Sequence, residues 1–157
     1  MRYLIALYIL AILLAAHEAE AKSSMLQAYL EKHASVTAVD SYALSTAIQK
    51  TAKKYALDPF EIARVVLQES RGVELAYNPA SQDHGLMQIN IFTALERGIS
   101  LECLYNWKCN LDAGAQILAA LHRRTDYRVC LYNVGPRGAK KKLKKCLAYE
   151  AKLEALN

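Results

Sequence analysis

The residue with the clearest chemical potential is Glu69, which lies on the apolar face of a predicted helix. Ile62, Val65, Val66 and Glu69 are spaced i, i+3, i+4 and i+7, so the carboxyl group shares their stripe. Burial disfavours the charged form of a carboxyl group and raises its pKa. A glycosidase needs a carboxylic acid of this kind to protonate the leaving oxygen near neutral pH. The spacing alone favours a structural glutamate, either paired with a neighbouring arginine or exposed at the helix end.

Three further polar residues lie near Glu69 in sequence or in the loop that follows it. Asp83 can be a second catalytic carboxylate, an electrostatic support for a cleft, or a residue that caps a turn through its side chain. His84 is expected to be a solvated loop residue. Ser70, His84 and Asp83 together have the composition of a hydrolase triad, but Ser70 lacks the Gly-x-Ser-x-Gly elbow, so we predict no triad.

Helical periodicity surrounds these residues. Apolar or small side chains recur at three- and four-residue steps at Leu44, Ala47, Ile48, Thr51 and Tyr55. Asp58 can cap the next helix, Pro59 fits its first turn, and Ser70-Arg71-Gly72 ends it. Further helices are predicted over residues 91–97, from Leu111 to Leu121 and over 139–155. Because no alternating strand pattern is convincing, we predict a mainly α fold.

The N-terminal residues are typical of a secretory signal peptide. Arg2 is followed by an apolar run over residues 3–16, and Ala19-Glu20-Ala21 has small residues at the positions that a signal peptidase reads. We predict a signal peptide over 1–21, followed by a lead-in segment over 22–41 that is a short helix or linker. The alternative is an uncleaved anchor, although the run is shorter than the roughly 20 residues of a membrane span. Both place the protein outside the cytoplasm, in the periplasm or cell envelope.

Four cysteines lie in the second half of the chain, at positions 103, 109, 130 and 146. An even number in an exported chain predicts two disulfides with three possible pairings. The shortest loops come from Cys103–Cys109 with Cys130–Cys146, which is the pairing we expect. There is no Cys-x2-Cys pair and no histidine cluster, which argues against zinc. We expect no metal and no cofactor.

The chain has a net charge of +5, and a basic exported protein favours acidic surfaces and polymers. Nucleic acid is another acidic partner, but export argues against it. Five lysines occupy six positions in the run Lys140–Lys145, within a basic C-terminal helix expected over 137–157. This run is either a solvated helix face or a contact with anionic wall polymer or phospholipid headgroups.

An ordered series of motifs makes the prediction more specific. The motifs are Glu69-Ser70, Ser81-Gln82-Asp83-His84-Gly85-Leu86-Met87-Gln88-Ile89-Asn90, Cys109-Asn110-Leu111, Gly114-Ala115-Gln116-Ile117-Leu118 and Tyr132-Asn133-Val134-Gly135. The series closely resembles the soluble lytic transglycosylase family of lysozyme-like enzymes that cleave peptidoglycan. It is most similar to the small exported branch associated with secretion systems, conjugation and pili. The resemblance implies a single lysozyme-like catalytic domain over 42–136, with the C-terminal helix packed on it.

The resemblance also implies roles for individual residues. Glu69 matches the single catalytic acid and base of the family. The residues that match the lining of the sugar cleft are Ser81, Gln88, Asn90, Tyr132 and Asn133. Asn90 stands where many members carry methionine, which puts its sugar contact in doubt. In the implied reaction Glu69 protonates the oxygen between N-acetylmuramic acid and N-acetylglucosamine, then takes the proton from the muramyl C6 hydroxyl as a 1,6-anhydro ring closes.

Two other functions stay open. The run from Asp83 to Asn90 also resembles a segment of animal-type lysozymes, which favours a hydrolytic muramidase using Glu69 and Asp83. A lysozyme-like domain can also serve as a non-catalytic glycan-binding module. The expected partners are peptidoglycan strands and, from the branch resembled, a secretion, conjugation or pilus apparatus. The protein is expected to be a monomer.

Overall fold

The computed structural model describes residues 2–35 and 37–122, together with Tyr132, Ala148 and Ala151. Several sequence predictions therefore lie outside the described residues: those for Cys130, Asn133, the run Lys140–Lys145 and Cys146, and those for the C-terminal helix apart from its two described alanines.

The described part of the chain is mainly helical, which confirms the predicted fold class. Its helices are α1 (Arg2–His33), α2 (Ser41–Tyr55), α3 (Pro59–Ser70), α4 (Ile91–Glu96), α5 (Leu101–Tyr105) and α6 (Trp107–His122). Its strands are β1 (Tyr77–Asn78), β2 (Asp83–His84) and β3 (Ile89–Asn90). The strands stand between α3 and α4 in the chain.

Aspartates begin the two helices that lead to Glu69. The Asp40 side chain accepts a hydrogen bond from the Ala43 N–H at 2.9 Å, and that of Asp58 accepts one from the Phe60 N–H at 3.0 Å. These bonds satisfy N–H groups that have no partner within the helix. Pro59 occupies the first turn of α3. The predicted cap at Asp58 is therefore confirmed.

The end of α3 is closed by two residues with left-handed backbone. Arg71 has φ 53° and donates its N–H to the Leu67 carbonyl, and Gly72 has φ +81°. A Cβ atom on Gly72 would lie 3.0 Å from the Cβ atom of Ala38, so glycine also permits close packing here. The predicted end of the helix at these residues is confirmed, and Glu69 lies in the last turn.

The core joins α1, α2, α3 and α6 to the loop that carries the strands. Its largest fully buried side chains are Leu26, Leu30, Leu44, Ile48, Ile62, Val65, Val66, Leu86, Met87, Leu104, Leu111 and Leu118. The apolar stripe predicted for α3 is thus buried. Two of the core leucines belong to the lead-in segment.

α1 is one continuous helix with two different halves. Its apolar side chains from Tyr3 to Leu14 are exposed. Packing begins at Ser23, whose hydroxyl accepts a 2.9 Å hydrogen bond from the Gln49 amide, and continues through Leu26 and Leu30. The helix is long and apolar enough to cross a membrane. A signal sequence near the N-terminus meets the same criteria of length and composition. The segment after residue 21 therefore forms a helix that contributes to the core.

The three strands form a small antiparallel sheet in the order β1-β2-β3. Asp83 pairs with Asn78 on one side and with Asn90 on the other, and His84 pairs with Tyr77 and Ile89. Neighbouring residues in a strand point to opposite faces. The sheet therefore places Asp83 and Asn90 together on one face, opposite that of His84.

The predicted disulfide between Cys103 and Cys109 is confirmed. It joins α5 to the first turns of α6, with 5.0 Å between the two Cα atoms. α5 itself was not predicted.

Candidate active site

Glu69 is held at the carboxyl end of α3. Val65 and Val66, one turn earlier, are fully buried, whereas the Glu69 side chain is half-buried. The helix has no basic residue in its last turn. Glu69 thus continues the buried stripe of α3 at its more exposed end.

The phenol of Tyr132 is affected by both candidate carboxylates. Burial raises the pKa of its phenol well above the usual value near 10, and the charges of Glu69 and Asp83 raise it further. Since the interaction between charges falls with distance, this places the phenol near both carboxyl groups. Its hydroxyl donates a 2.7 Å hydrogen bond to the Met87 carbonyl. Three of the residues selected from the sequence thus lie around one place.

Asp83 is fixed by the two polar residues that flank it in the loop. The Ser81 hydroxyl donates to Asp83 Oδ2 at 2.5 Å, and Asn90 Nδ2 donates to Asp83 Oδ1 at 2.9 Å. Asn90 Nδ2 also donates to the Ser81 carbonyl at 2.6 Å. Its Oδ1 accepts from the Phe92 N–H at 3.0 Å and so caps α4. The polar atoms of Ser81 and Asn90 are therefore directed at Asp83 and the backbone, and their contact with sugar stays a prediction.

Gln88 closes the same loop from its other end. Its Nε2 donates to the carbonyls of Ala76 at 3.0 Å and Gly85 at 3.1 Å. Its backbone has φ 45°, in the left-handed region that non-glycine residues rarely adopt. The side-chain amide nitrogen is thus used within the loop, and Oε1 is the atom through which Gln88 can meet a sugar.

Asn110 is a supporting residue to which the sequence analysis gave no role. It is fully buried on α6, where Oδ1 accepts from the Met87 N–H at 2.9 Å. Its Nδ2 donates to the carbonyls of His84 at 2.9 Å and Leu104 at 3.1 Å. The sequence did contain a signal for this role, since Asn110 adjoins Leu111 on the apolar face of a predicted helix. A polar side chain buried there needs hydrogen-bond partners.

Two glycines let this loop approach α6. A Cβ atom on Gly85, where φ is +75°, would lie 2.6 Å from Asn110 Cγ and 2.8 Å from the Leu104 carbonyl oxygen. A Cβ atom on Gly114 would lie 2.5 Å from the Cβ atom of Met87. These distances are shorter than any ordinary contact, so both motif glycines are required by close packing.

The expectation that His84 is solvated is wrong. Its side chain is only 6% exposed. The ring centroid lies 4.7 Å from that of Tyr77 and 5.3 Å from that of Tyr105. His84 and Asp83 are neighbours in β2, so their side chains lie on opposite faces of the sheet. The contact with Tyr105 shows that the face of His84 packs against α5.

Ser70 is a structural residue, in agreement with the prediction of no triad. Its hydroxyl donates to the Val66 carbonyl and accepts from the Gly72 N–H, both at 3.1 Å. The side chain is buried, and these bonds help to close the end of α3. Within the described part of the chain, no group of three His, Cys, Asp or Glu residues is placed to hold a metal ion.

Comparison with known proteins gives one match. A sequence model described as the transglycosylase SLT domain matches residues 46–154, which include Glu69, Asp83, Asn110 and Tyr132. No curated protein and no solved structure is similar enough to this chain to match it.

Proposed function

The chain belongs to the transglycosylase SLT domain family, and from that premise we propose that it is a lytic transglycosylase that cleaves peptidoglycan glycan strands with Glu69 as the catalytic acid and base. The bond cleaved is the β-1,4 bond between N-acetylmuramic acid and N-acetylglucosamine. The single observation that carries the proposal is the family match over residues 46–154, which include Glu69, Asp83 and Tyr132.

The reaction needs one residue that first gives and then takes a proton. Glu69 protonates the glycosidic oxygen as the bond to the muramyl C1 breaks. The muramyl C6 oxygen then bonds to C1, and its proton passes to the Glu69 carboxylate. No water is consumed, and the product carries a 1,6-anhydro ring. Proton transfer by a positioned side chain contributes roughly 10²–10⁴-fold to the rate.

The position of Glu69 suits the first step. The carboxyl group is half-buried in the last turn of α3, at the more exposed end of a helix whose apolar stripe is buried. The charges of both Glu69 and Asp83 act on the phenol of Tyr132.

Asp83 supports charge in this proposal and does not attack the sugar. An oxocarbenium-like centre at C1 is positive, and a fixed carboxylate stabilises such a charge. Each Asp83 oxygen already accepts a hydrogen bond, from Ser81 or from Asn90. The second candidate function is a hydrolytic muramidase, which the presence of a second carboxylate, Asp83, whose charge acts on Tyr132 together with that of Glu69, favours.

We further propose that the protein acts outside the cytoplasm after cleavage behind Ala21. The support is the boundary within α1, where the residues before position 22 are exposed and packing begins at Ser23. Cleavage there would remove the exposed apolar half and leave Leu26 and Leu30 in the core. A role beside a secretion, conjugation or pilus apparatus, and contact of Lys140–Lys145 with anionic wall or membrane, are proposed from the sequence alone.

Analysis of the products tests the activity. Purified protein starting at Lys22 is incubated with peptidoglycan, and the muropeptides are analysed by mass spectrometry. We expect 1,6-anhydromuramyl ends, and a loss of at least about 100-fold in Glu69→Gln, which retains the shape but cannot act as an acid. Glu74→Gln, which changes an exposed glutamate on the following loop, is the matched control and should retain activity.

The outcomes are distinct. Reducing muramyl ends would replace the transglycosylase by the muramidase. Binding to cell walls with no cleavage by the wild type would favour a glycan-binding module. A Glu69→Gln variant as active as the wild type would remove the catalytic assignment.

A further inference from the structure

Asn90 is oriented by two separate backbone groups. Its Oδ1 accepts from the Phe92 N–H at the start of α4, and its Nδ2 donates to the Ser81 carbonyl. An amide with its oxygen on an N–H group and its nitrogen on a carbonyl has only one sensible orientation. The same nitrogen must then face Asp83 Oδ1, 2.9 Å away.

Ser81 supplies a second donor to the Asp83 carboxylate. Its hydroxyl donates a short hydrogen bond to Asp83 Oδ2 at 2.5 Å. The two carboxylate oxygens thus have different donors, Ser81 for Oδ2 and Asn90 for Oδ1. Rotation of the carboxyl group about its Cβ–Cγ bond would break both bonds.

The residue that they hold is linked electrostatically to the candidate centre. Asp83 is the member of this group whose charge acts on Tyr132, together with the charge of Glu69. Ser81 and Asn90 each use their donors on Asp83. Their effect on a bound sugar would therefore be transmitted through the position of that carboxylate.

We propose that Asn90 and Ser81 are positioning residues, which promote glycan cleavage by orienting Asp83 and not by contacting the sugar directly. The inference rests on the proposed function. A carboxylate held by two donors keeps its charge at a constant distance from the developing positive charge, whereas a free one would spend part of its time turned away. Freeing the Asp83 carboxylate would weaken stabilisation of the transition state and leave substrate binding unchanged. We therefore expect kcat to fall and KM not to rise.

The Asn90→Ser variant removes the hydrogen bond to Asp83 but keeps a capping side chain at the start of α4. Serine is as good an N-cap as asparagine, so α4 should keep its start, but serine has no amide that reaches Asp83. The matched control is Asn106→Ser. Asn106 caps α6 through Oδ1, which accepts from the Lys108 and Cys109 N–H groups at 3.1 Å. It makes the same type of cap with no contact to Asp83.

The test is a double-mutant cycle with Asp83→Asn, measured as kcat and KM on soluble uncross-linked glycan strands. We expect Asn90→Ser to lower kcat about 10- to 100-fold, the value of one hydrogen bond to a charged group, with KM unchanged. Asn106→Ser should remain within about twofold of the wild type. In the Asp83→Asn background, Asn90→Ser should change kcat by less than about twofold, because there is no carboxylate left to position. Ser81→Ala, which leaves the cap intact, should behave as Asn90→Ser does.

Two results would overturn the inference. If Asn90→Ser and Ser81→Ala raise KM equally in both backgrounds, the residues bind sugar themselves. If kcat falls to the same extent with and without the Asp83 carboxylate, they support only the loop. The wild type and Glu69→Gln are measured in the same series, so a failure of the proposed function shows as a wild type without cleavage and cannot be mistaken for either result.

Discussion

Gly85 and Gly98 share a left-handed backbone but differ in their surroundings, which makes them a matched pair for measuring how closely the loop packs on α6. Their φ angles are +75° and +67°. A Cβ atom on Gly98 would have nothing within 4 Å, whereas one on Gly85 would collide with Asn110 and the Leu104 carbonyl. Substitution by alanine at each position therefore imposes the same kind of backbone strain, with a collision at Gly85 alone.

The expected magnitudes follow from these contacts. Gly98→Ala should lower the free energy of unfolding by about 1–2 kcal/mol, the usual cost of a left-handed residue with a Cβ atom. Gly85→Ala has that cost and must also displace the Asn110 side chain, which makes three buried hydrogen bonds. At roughly 1 kcal/mol for each bond, the total is about 4–5 kcal/mol. That is a large part of the roughly 5–15 kcal/mol that stabilises an ordinary domain.

Urea unfolding followed by circular dichroism gives both values by linear extrapolation. The protein used starts at Lys22 and has the Cys103–Cys109 disulfide intact. Glycan cleavage is measured in parallel below the unfolding transition, where Gly85→Ala should also lose activity because Asp83 and Gln88 adjoin the displaced turn. If the two alanine variants lose the same stability within about 0.5 kcal/mol, the close approach of Gly85 to Asn110 is wrong.

Two other predictions concern α1 and Tyr132. Leu26→Ala should lower the free energy of unfolding by about 2–5 kcal/mol. Met25→Ala, on the exposed side of the same helix, should lower it by less than about 0.5 kcal/mol. Equal effects of the two variants in urea unfolding would contradict the packing of the lead-in helix. Because the pKa of the Tyr132 phenol is raised in the folded state, its contribution to stability is fully present below about pH 10 and is lost as the pH rises further, by about 1.4 kcal/mol for each pH unit. Urea unfolding between pH 8 and pH 11 should therefore show a steeper fall for the wild type than for Tyr132→Phe, and identical slopes would refute the burial of this phenol.

Local features of the fold were predictable from sequence. The cap at Asp58, the buried stripe of α3 and the end of the helix at Gly72 each depend on residues within one or two turns of one another. The Cys103–Cys109 pairing follows from the shortness of its loop. The mainly α class follows from the same local patterns, since helices are specified by neighbours three and four residues apart.

Features that depend on distant partners were not predictable. Each strand has only two residues, too few to show an alternating pattern, so the sequence gives no sign of the pairing of Asp83 with Asn90. Without that pairing, Asn90 and Ser81 are simply polar residues near a cleft, and His84 is a loop histidine. Leu26 and Leu30 stand among Ser, Ala and Lys residues, and two leucines one turn apart are too few to identify a core helix.

Both backbone polar groups of Met87 are hydrogen-bonded to side chains of other elements. Its N–H is bound to Asn110 on α6, and its carbonyl accepts the hydroxyl of Tyr132, which lies beyond the last residue of that helix. The amide proton at this position can exchange with deuterium in the solvent only when the turn leaves α6. The exchange rate of this proton therefore reports how often the turn at Met87 separates from α6. A glycan ligand that stabilises the turn would slow the exchange without contacting the proton.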